Sequence, residues 1–437
     1  MLYRLIISIF CLLLCSCLTD KQKEPVSVLQ HQAIDLGERF IGSGGFLDFY
    51  QGTIIGLDLS PTMQPFFRFM PNEPSLPLFY FGNRGQGPHD FLRPLSIQFV
   101  SNQAVGTLDI MSNTYVEFSI PNENEVLITD KKIRFQTPLT QIIKTAFNQY
   151  IGLLGLSNEM FLLADSSGMP VKSFFEYPYQ DNDERLFATR SHAYQGTLAA
   201  NPSKNKFVYS SFKGEIIHFY EIENNNIKTV AKIEKVYPKY RKLNEENRTG
   251  VEFHADGTDG YIDVYATEKF VYAIFSGKKI FDRKTNVRTA FEGTGLRIFD
   301  WNGILVKEYE LDVPCNYLCV SDDDSKIWAI ATCPDISLVF FDLEHEIEIT
   351  AENENEQGGE VQIKRNLLES QLINGGIYIS IDSTMDSKSL KDSIMSRIIS
   401  IINDNSLSIN PDDIVDIQIE TVNRNTIRAP LILKKTE

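Results

Sequence analysis

The chain is poor in cysteine and histidine, and no pattern of these residues indicates a metal site. It contains 6 cysteines and 6 histidines in 437 residues. No CxxC pair and no cysteine–histidine cluster has the spacing of a structural zinc site. A GxSxG elbow, an HExxH motif and a P-loop are also missing. We therefore expect no metal, no cofactor and no catalytic residue that the sequence can identify.

Three of the cysteines lie within the first 17 residues, and an odd number remains beyond them: Cys315, Cys319 and Cys333. An odd number leaves at least one thiol unpaired in an oxidising compartment. Cys315 and Cys333 flank a predicted hairpin turn at Asp322–Ser325 and could face each other across it. We favour the alternative that all three are small buried residues in strands.

Basic residues are too few for a nucleic-acid partner. The 42 Lys and Arg residues are outnumbered by 58 Asp and Glu residues, which gives a formal net charge of -16. Binding to nucleic acid needs basic patches that displace counterions. The same charge disfavours adsorption to anionic lipid. Any membrane contact must therefore have another source.

Long hydrophobic runs are missing apart from a short one at the N-terminus. Residues 5–14 are apolar and follow a positively charged start, which is the layout of a secretory signal peptide. A bilayer span would need roughly 20 apolar residues. The run ends in Leu14-Cys15-Ser16-Cys17, which resembles a bacterial lipobox, although a plain signal peptide with a coincidental cysteine is the alternative. We predict a lipoprotein signal peptide over residues 1–16 and a lipid on Cys17. We expect the protein in the cell envelope, anchored in the outer membrane. The sequence does not decide between the periplasmic and the surface face of that membrane.

The body of the chain, residues 31–345, alternates short apolar segments with turns rich in Gly, Asn, Asp and Pro. Residues 201–222 and 321–343 repeat one scheme: a polar turn, a strand, a short loop and a strand of alternating polarity. Similar sets lie near 105–120, 151–176 and 261–311. Repeats of about 40–50 residues with several strands each are typical of propeller blades, and about five or six such units fit here. The pattern predicts an all-β propeller.

Polar segments flank this body on both sides. Residues 17–30 are predicted to form a tether, and the acidic residues 346–360 a linker. The pattern of residues 361–437 predicts a small α+β tail. Its strands are expected at 376–382 and 414–420, and its helix from Asp386 to about residue 403. The apolar stripe of that helix could bind a partner, but we favour a role in the local core.

A glycine-rich segment at residues 80–91 carries the strongest family signal. It resembles the G-x-x-G-x-G-P-x-[ED]-F signature of the TolB-like six-bladed propeller lipoproteins of Bacteroides-type bacteria. The matching residues are Gly82, Gly85, Gly87, Pro88, Asp90 and Phe91. The resemblance covers residues 30–345 and implies a six-bladed β-propeller, here with a small α+β C-terminal appendage. It implies no established molecular function.

The motif residues themselves suggest a structural loop. Glycines allow positive φ, Pro88 stiffens the exit, Asp90 can accept bonds from loop amides, and Phe91 can enter a core. The functional alternative is a phosphate-binding loop, but the Lys-Ser/Thr pair and the following helix pattern of such loops are absent. We therefore expect a structural role.

Other polar residues give weaker signals. His218 lies in an alternating strand and is expected to be packed, whereas His192 and His254 could line a propeller face. Residues 181–184 have some features of a calcium loop but lack its glycine and closing glutamate, which favours a solvated acidic loop. Residues 256–260 are expected to form turns.

Two functions of different classes follow. We favour a non-catalytic binding or scaffold module, held at the membrane through Cys17, whose ligand is an envelope protein, a peptide or a glycan. The alternative is a metal-dependent hydrolase of the lactonase type, which would need carboxylates and Asn residues from several blades to converge in the channel.

Overall fold

The computed structural model describes residues 26–343, apart from 37–38, 72–77, 102, 123–124, 126, 187–189, 246–247 and 283–286, and four C-terminal strands. The chain divides into two compact units, Met1–Leu343 and Glu344–Glu437. Within the described residues, no helix has the length and apolar character needed to cross a membrane.

Four antiparallel sheets of four strands each form blades 1 to 4 of the first unit. The chain enters through β1 (Ser27–Leu29) and β2 (Gln32–Ala33). Blade 1 then contains β3 (Leu47–Tyr50), β4 (Thr53–Leu57), β5 (Phe66–Phe69) and β6 (Phe79–Phe81), and blade 2 contains β7 (Gln98–Ser101), β8 (Ala104–Asp109), β9 (Thr114–Ser119) and β10 (Thr129–Arg134). Blade 3 contains β11 (Leu139–Lys144), β12 (Tyr150–Leu154), β13 (Glu159–Ala164) and β14 (Pro170–Glu176). Two helical turns, α1 (Asn182–Arg185) and α2 (Arg190–Ala193), precede blade 4, which contains β15 (Gly196–Ala200), β16 (Lys206–Ser211), β17 (Glu215–Glu223) and β18 (Asn226–Val236).

Blades 5 and 6 share one long strand. After a separate hairpin of β19 (Tyr240–Glu245) and β20 (Arg248–Phe253), the chain forms β21 (Tyr261–Ala266), β22 (Phe270–Phe275), β23 (Gly293–Asp300), β24 (Leu305–Val320), β25 (Lys326–Ala331) and β26 (Ser337–Asp342). The first half of β24 pairs with β23 as the outer strand of blade 5, and its second half pairs with β25 as the inner strand of blade 6.

The N-terminal strands close the ring. Strand β2 pairs antiparallel with β26 and supplies the fourth strand of blade 6, while β1 runs parallel to β24 at Tyr309–Leu311. Blade 6 is therefore built from both ends of the unit. This pairing closes the ring of blades, and a propeller leaves only short sheet edges.

Apolar side chains between neighbouring blades form the core. Between blades 3 and 4, the ring of Phe161 meets Phe207 and Tyr220 edge-on at centroid distances of 5.2 and 5.1 Å. Phe207 and Tyr220 stack on each other at 4.8 Å. All three are fully buried. The many Phe and Tyr rings thus fill the wedge-shaped space between neighbouring blades.

The predicted all-β propeller is confirmed, but the N-terminal boundary differs. Ser27–Leu29, which the sequence assigned to the tether at 17–30, forms β1. In the second unit, β27 (Gly376–Ser380), β28 (Ile414–Ile417), β29 (Glu420–Asn423) and β30 (Thr426–Leu433) form a sheet. Two of these strands coincide with the predicted ones, and the predicted helix at 386–403 lies outside the described residues.

Candidate ligand-binding face

The longest connections lie at one end of the ring. Each blade is an antiparallel meander that begins at the channel, so the links between blades and the links from second to third strands share one face. We call this the long-loop face. It carries the described residues within 34–46, 82–97, 177–195, 237–260 and 276–292. The opposite turn face carries shorter links, including residues 51–52, 145–149, 201–205, 267–269 and 321–325. Binding residues concentrate on loops held by a rigid scaffold, so the long-loop face is the candidate site.

The glycine motif lies in the connection between blades 1 and 2, residues 82–97. The carboxylate of Asp90 accepts a hydrogen bond from the Gly87 amide at 2.9 Å. The Gly85 amide donates to the Phe91 carbonyl at 3.1 Å. Phe91 is buried, and its ring meets Phe66 edge-on at a centroid distance of 4.8 Å. These amides are used inside the loop and do not form a cradle for a phosphate.

The motif glycines serve two different purposes. Of the three motif glycines only Gly82 has a positive φ, at +78°, so this conformation accounts for one of them and not for Gly85 or Gly87. At Gly85 and Gly87, a Cβ atom would lie 2.5 and 2.6 Å from the Asp90 Oδ2 atom. These two positions therefore need glycine because the aspartate packs against them. Pro88 contributes its carbonyl as an acceptor for the Lys132 ammonium.

A buried glutamate ties the next connection to the hairpin. Glu184 is 8% exposed, and its Oε1 atom accepts bonds from the hydroxyls of Tyr194 at 2.6 Å and Tyr240 at 2.9 Å. Asp181 caps α1 by accepting a bond from the Glu184 amide at 2.8 Å. The expectation of a solvated acidic loop at 181–184 is therefore wrong for Glu184, because the β19–β20 hairpin covers it.

A buried ion pair ties the end of the hairpin connection to blade 4. The Lys213 ammonium donates to the Asp259 carboxylate, and both side chains are almost fully buried. The rings of Phe253 and Phe291 lie 5.5 and 5.4 Å from the Lys213 Nζ atom. Burial lowers the pKa of Lys213, and its contact with Asp259 opposes that change. The predicted turn at 256–260 thus also carries an ion-pair partner.

A shallow depression of about 270 Å³ is lined in part by Phe253, whose ring lies beside the Lys213 ammonium, and we call it the hairpin depression. It is lined by Arg241, Glu252, Phe253, His254, Ala255 and Phe281. The Arg241 Nη2 atom lies 2.6 Å from the Glu252 carboxylate. Arg241, Glu252 and His254 are exposed, whereas Phe253 and Phe281 are half-buried. An aromatic surface surrounded by polar groups suits a ligand that has both apolar and polar parts.

Polar side chains on the inner strands link neighbouring blades around the channel. Asp48 of blade 1 accepts from the Phe99 amide of blade 2 at 2.6 Å, and Gln98 accepts from the Lys144 amide of blade 3 at 3.1 Å. Asp263 of blade 5 accepts from the Leu318 amide of blade 6 at 3.1 Å. Burial raises the pKa of Asp263 well above its usual range. Asp48 and the Oδ2 atom of Asp263 are thus engaged in joining blades, whereas the Oδ1 atom of Asp263 is buried without a hydrogen-bond partner.

Metal ligands do not converge in the described part of the chain. Among those residues, no group of three His, Cys, Asp or Glu side chains lies close enough to hold a metal ion. His218 is buried between the Tyr220 hydroxyl at 3.0 Å and the Glu234 carboxylate at 2.8 Å, and burial lowers its pKa. His192 is half-buried with a pKa also lowered by burial, whereas His254 borders the hairpin depression.

The cysteines are partly as expected. Cys315, Cys319 and Cys333 are free. The first two are buried in β24, but Cys333 is exposed, so the expectation that all three are buried is wrong. Cys333 lies in the link between β25 and β26, where solvent reaches it. Cys17 lies outside the described residues.

Six four-stranded blades around a channel define the class of protein: a six-bladed β-propeller. The profile of the family described as TolB-like 6-blade propeller-like matches residues 32–323. The chain belongs to this family, as the glycine motif predicted. The matched range starts at β2, the strand that closes the ring, and ends in the turn after β24.

Solved structures with a similar fold have little sequence in common with the chain. A Bacteroides fragilis protein provisionally described as exported is 12% identical, with a TM-score of 0.49, and the match covers 72% of this chain and 94% of that one. Another, provisionally described as a 6-phosphogluconolactonase, is 11% identical, with a TM-score of 0.42 and coverage of 72% and 84%. A Lactobacillus plantarum protein is 9% identical, with a TM-score of 0.41 and coverage of 68% and 80%. The comparison with curated proteins yields no match.

The contacts between connections were not predicted, although one signal was present. Asp181 and Glu184 have the spacing of a capping box, in which a glutamate follows the helix cap by three residues. This signal could have indicated α1 and an ordered Glu184. The Lys213–Asp259 pair and the hairpin depression have no local signature because their residues come from distant parts of the chain.

Proposed function

We propose that the protein is a lipoprotein of the cell envelope whose propeller binds an envelope ligand at the long-loop face, without catalysis. The observation that carries this proposal is the hairpin depression, which lies among the longest connections and combines two aromatic rings with exposed polar groups. The ligand classes that fit are a protein, a peptide or a glycan. Asp48 and the Oδ2 atom of Asp263 join neighbouring blades, which gives the hydrolase alternative no comparable support.

The binding test compares two faces of the same soluble protein. Protein carrying Cys17→Ser and lacking residues 1–16 is applied to glycan arrays and to fractionated envelope extract, and each binder is purified and titrated. The double variant Arg241→Ala/His254→Ala is expected to weaken saturable binding by about tenfold or more, which corresponds to about 1.4 kcal/mol. The matched control, Lys228→Ala/Lys326→Ala, removes one exposed and one half-exposed cation away from the depression and should bind as the parent does.

Two results would contradict this proposal. One is the absence of any saturable ligand in both screens. The other is a ligand whose affinity is equally insensitive to both double variants, which would move the binding site away from the hairpin depression.

The anchoring part of the proposal rests on the lipobox at Leu14–Cys17. Cys17→Ser should abolish incorporation of a labelled fatty acid in cells, whereas Cys15→Ser, two positions away, should retain it. Lipid on the Cys15→Ser and the parent protein, but not on Cys17→Ser, is the expected pattern. Protease treatment of intact cells then distinguishes the surface, where the protein is lost, from the periplasm, where it is protected.

A further inference from the structure

The connection of residues 276–292 contributes to the hairpin depression and folds back on itself. The Thr289 amide donates to the Ile280 carbonyl at 3.0 Å, and Phe281 lies opposite Arg288 in an antiparallel bridge. Side chains directly opposite each other across such a bridge lie on the same face. Phe281 lines the depression, so the exposed Arg288 lies beside it.

The pKa of Lys213 gives a second indication of where the Arg288 charge lies. Burial lowers this pKa, and the positive charge of Arg288 lowers it further. The Lys213 ammonium is 5.5 Å from the ring of Phe253, which also lines the depression. Arg288 is therefore near both aromatic rings of the depression.

A second exposed cation, Lys279, lies on the other arm of this connection, opposite Thr258. The Lys239 ammonium holds the pKa of Asp256 below its usual value, and the charge of Lys279 adds to that effect. His254, two positions before Asp256, lines the depression. Lys279 therefore lies near the His254 side of the depression.

The charges around the depression leave an excess of cations. In the described part of the chain, no carboxylate lies within ion-pair distance of Lys279 or Arg288. By sequence, residues 276–292 include five basic and two acidic residues, a net charge of +3 in a chain of net charge -16. A negatively charged ligand is therefore attracted to this part of the long-loop face. Other cations nearby already have partners, in the pairs Lys213–Asp259, Lys239–Asp256, Arg241–Glu252 and Lys278–Glu292.

The size and lining of the depression restrict the kind of anionic ligand. Its volume of about 270 Å³ suits a compact unit. A helical peptide needs a groove for anchors about 10 Å apart, and a peptide strand binds the main chain of a sheet edge. The depression instead offers two aromatic rings beside exposed cations. A sugar ring that carries a carboxylate has a matching apolar face of C–H groups and a negative charge at its edge.

From these observations we propose that the hairpin depression binds an acidic glycan built from uronic acids. A sugar ring packs on Phe253 or Phe281, and its carboxylate lies near Arg288 and Lys279. This inference rests on the proposed binding function and names its ligand class. Hydrogen bonds between charged groups are roughly twice as strong as neutral ones, so the carboxylates contribute most of the affinity.

The experiment compares probes that differ in one property. Hexamers of galacturonic acid, of mannuronic acid and of hyaluronan are titrated into the soluble protein by calorimetry, together with their methyl esters and with hexaglutamate. The best acidic hexamer should bind saturably, and its uncharged methyl ester at least about tenfold more weakly. Hexaglutamate has carboxylates but no sugar ring and should also bind at least about tenfold more weakly.

Variants then test the charge and the ring separately. Lys279→Gln/Arg288→Gln should weaken the best hexamer about tenfold or more. The matched control, Arg134→Gln/Lys269→Gln, removes the same charge from exposed positions outside the depression and should bind as the parent does. Phe281→Leu keeps apolar volume but removes the ring, and it should weaken binding about threefold or more.

Three results would overturn the acidic glycan as the ligand. They are equal affinity for hexaglutamate, which would indicate an acidic peptide, equal affinity for the methyl ester, and no saturable binding of any acidic hexamer. The proposed binding function would still stand if another envelope ligand lost affinity in Arg241→Ala/His254→Ala. An acidic hexamer whose binding is insensitive to that variant and to Lys279→Gln/Arg288→Gln would instead contradict the site itself.

Discussion

Asp48 shows how one carboxyl group can join three blades. Its oxygens accept bonds from the Phe99 amide of blade 2 and from the hydroxyl of Tyr265 of blade 5, at 2.6 and 2.9 Å. Burial raises its pKa from 3.8 to about 6. The folded protein therefore binds a proton at Asp48 more tightly than the unfolded chain does.

The stability contributed by this proton depends on pH in a defined direction. It is fully present below about pH 4 and is lost as the pH rises through about 6. Asp48→Asn cannot titrate, so the stability of the variant relative to the parent should increase between pH 4 and pH 7, by no more than about 3 kcal/mol. Urea unfolding at several pH values measures this difference.

Asp342→Asn provides the control for Asp48→Asn, because Asp342 is half-exposed and pairs with Lys326. Exposed ion pairs contribute about 0–1 kcal/mol, so the variant should follow the parent across the range. Parallel pH profiles for the parent and Asp48→Asn would show that Asp48 does not titrate as proposed.

Among the connecting elements, the β19–β20 hairpin depends on the element before it. In the described residues it pairs with no blade. The Tyr240 hydroxyl on β19 donates a hydrogen bond to the buried Glu184 carboxylate of α1. Tyr194 donates to the same oxygen. A buried hydroxyl without a partner costs about 1–3 kcal/mol, so Glu184 holds the hairpin against the propeller.

Replacing Glu184 by Ala should loosen the hairpin while the blades stay folded. Two tyrosine hydroxyls lose their acceptor, and amide exchange in residues 237–260 should accelerate by about tenfold or more. Hydrogen exchange followed by mass spectrometry gives the rate for each segment. Glu221→Ala removes a glutamate from an exposed pair with Lys228 and should leave these rates unchanged. Faster exchange throughout the propeller would instead indicate a general loss of stability.

The elements that follow local patterns could be predicted from the sequence, and the contacts between elements could not. Alternating polarity indicated strands such as β17 and β25 because successive side chains in a strand face opposite sides. Glu184 and Tyr240 are 56 positions apart, and Lys213 and Asp259 are 46 apart, so no local period connects them. Similarly, the close approach of Asp90 to Gly87, which leaves no room for a side chain at position 87, exists only in the folded loop.

For the whole molecule, the main unpredicted feature is the closure of the ring. Strands β1 and β2 have three and two residues, too few for an alternating pattern to be recognised. They acquire strand structure from their partners β24 and β26. Ile34 and Leu36, which follow them, pack against the core cluster that contains Trp328 of blade 6. The start of the chain therefore stabilises the last blade.

Removal of these strands should destabilise the whole propeller rather than one end of it. A variant that begins at Asp35 lacks the fourth strand of blade 6, and its melting temperature should fall by about 5 °C or more. A variant that begins at Val26 keeps β1 and β2 and should melt as the full soluble protein does. With Cys333→Ser as background, the two buried thiols of Cys315 and Cys319 report on the opening. They should react faster in the Asp35 variant because both lie on the inner strand of the unclosed blade. Equal melting temperatures and equal thiol reactivity in the two variants would show that the ring holds without its N-terminal strands.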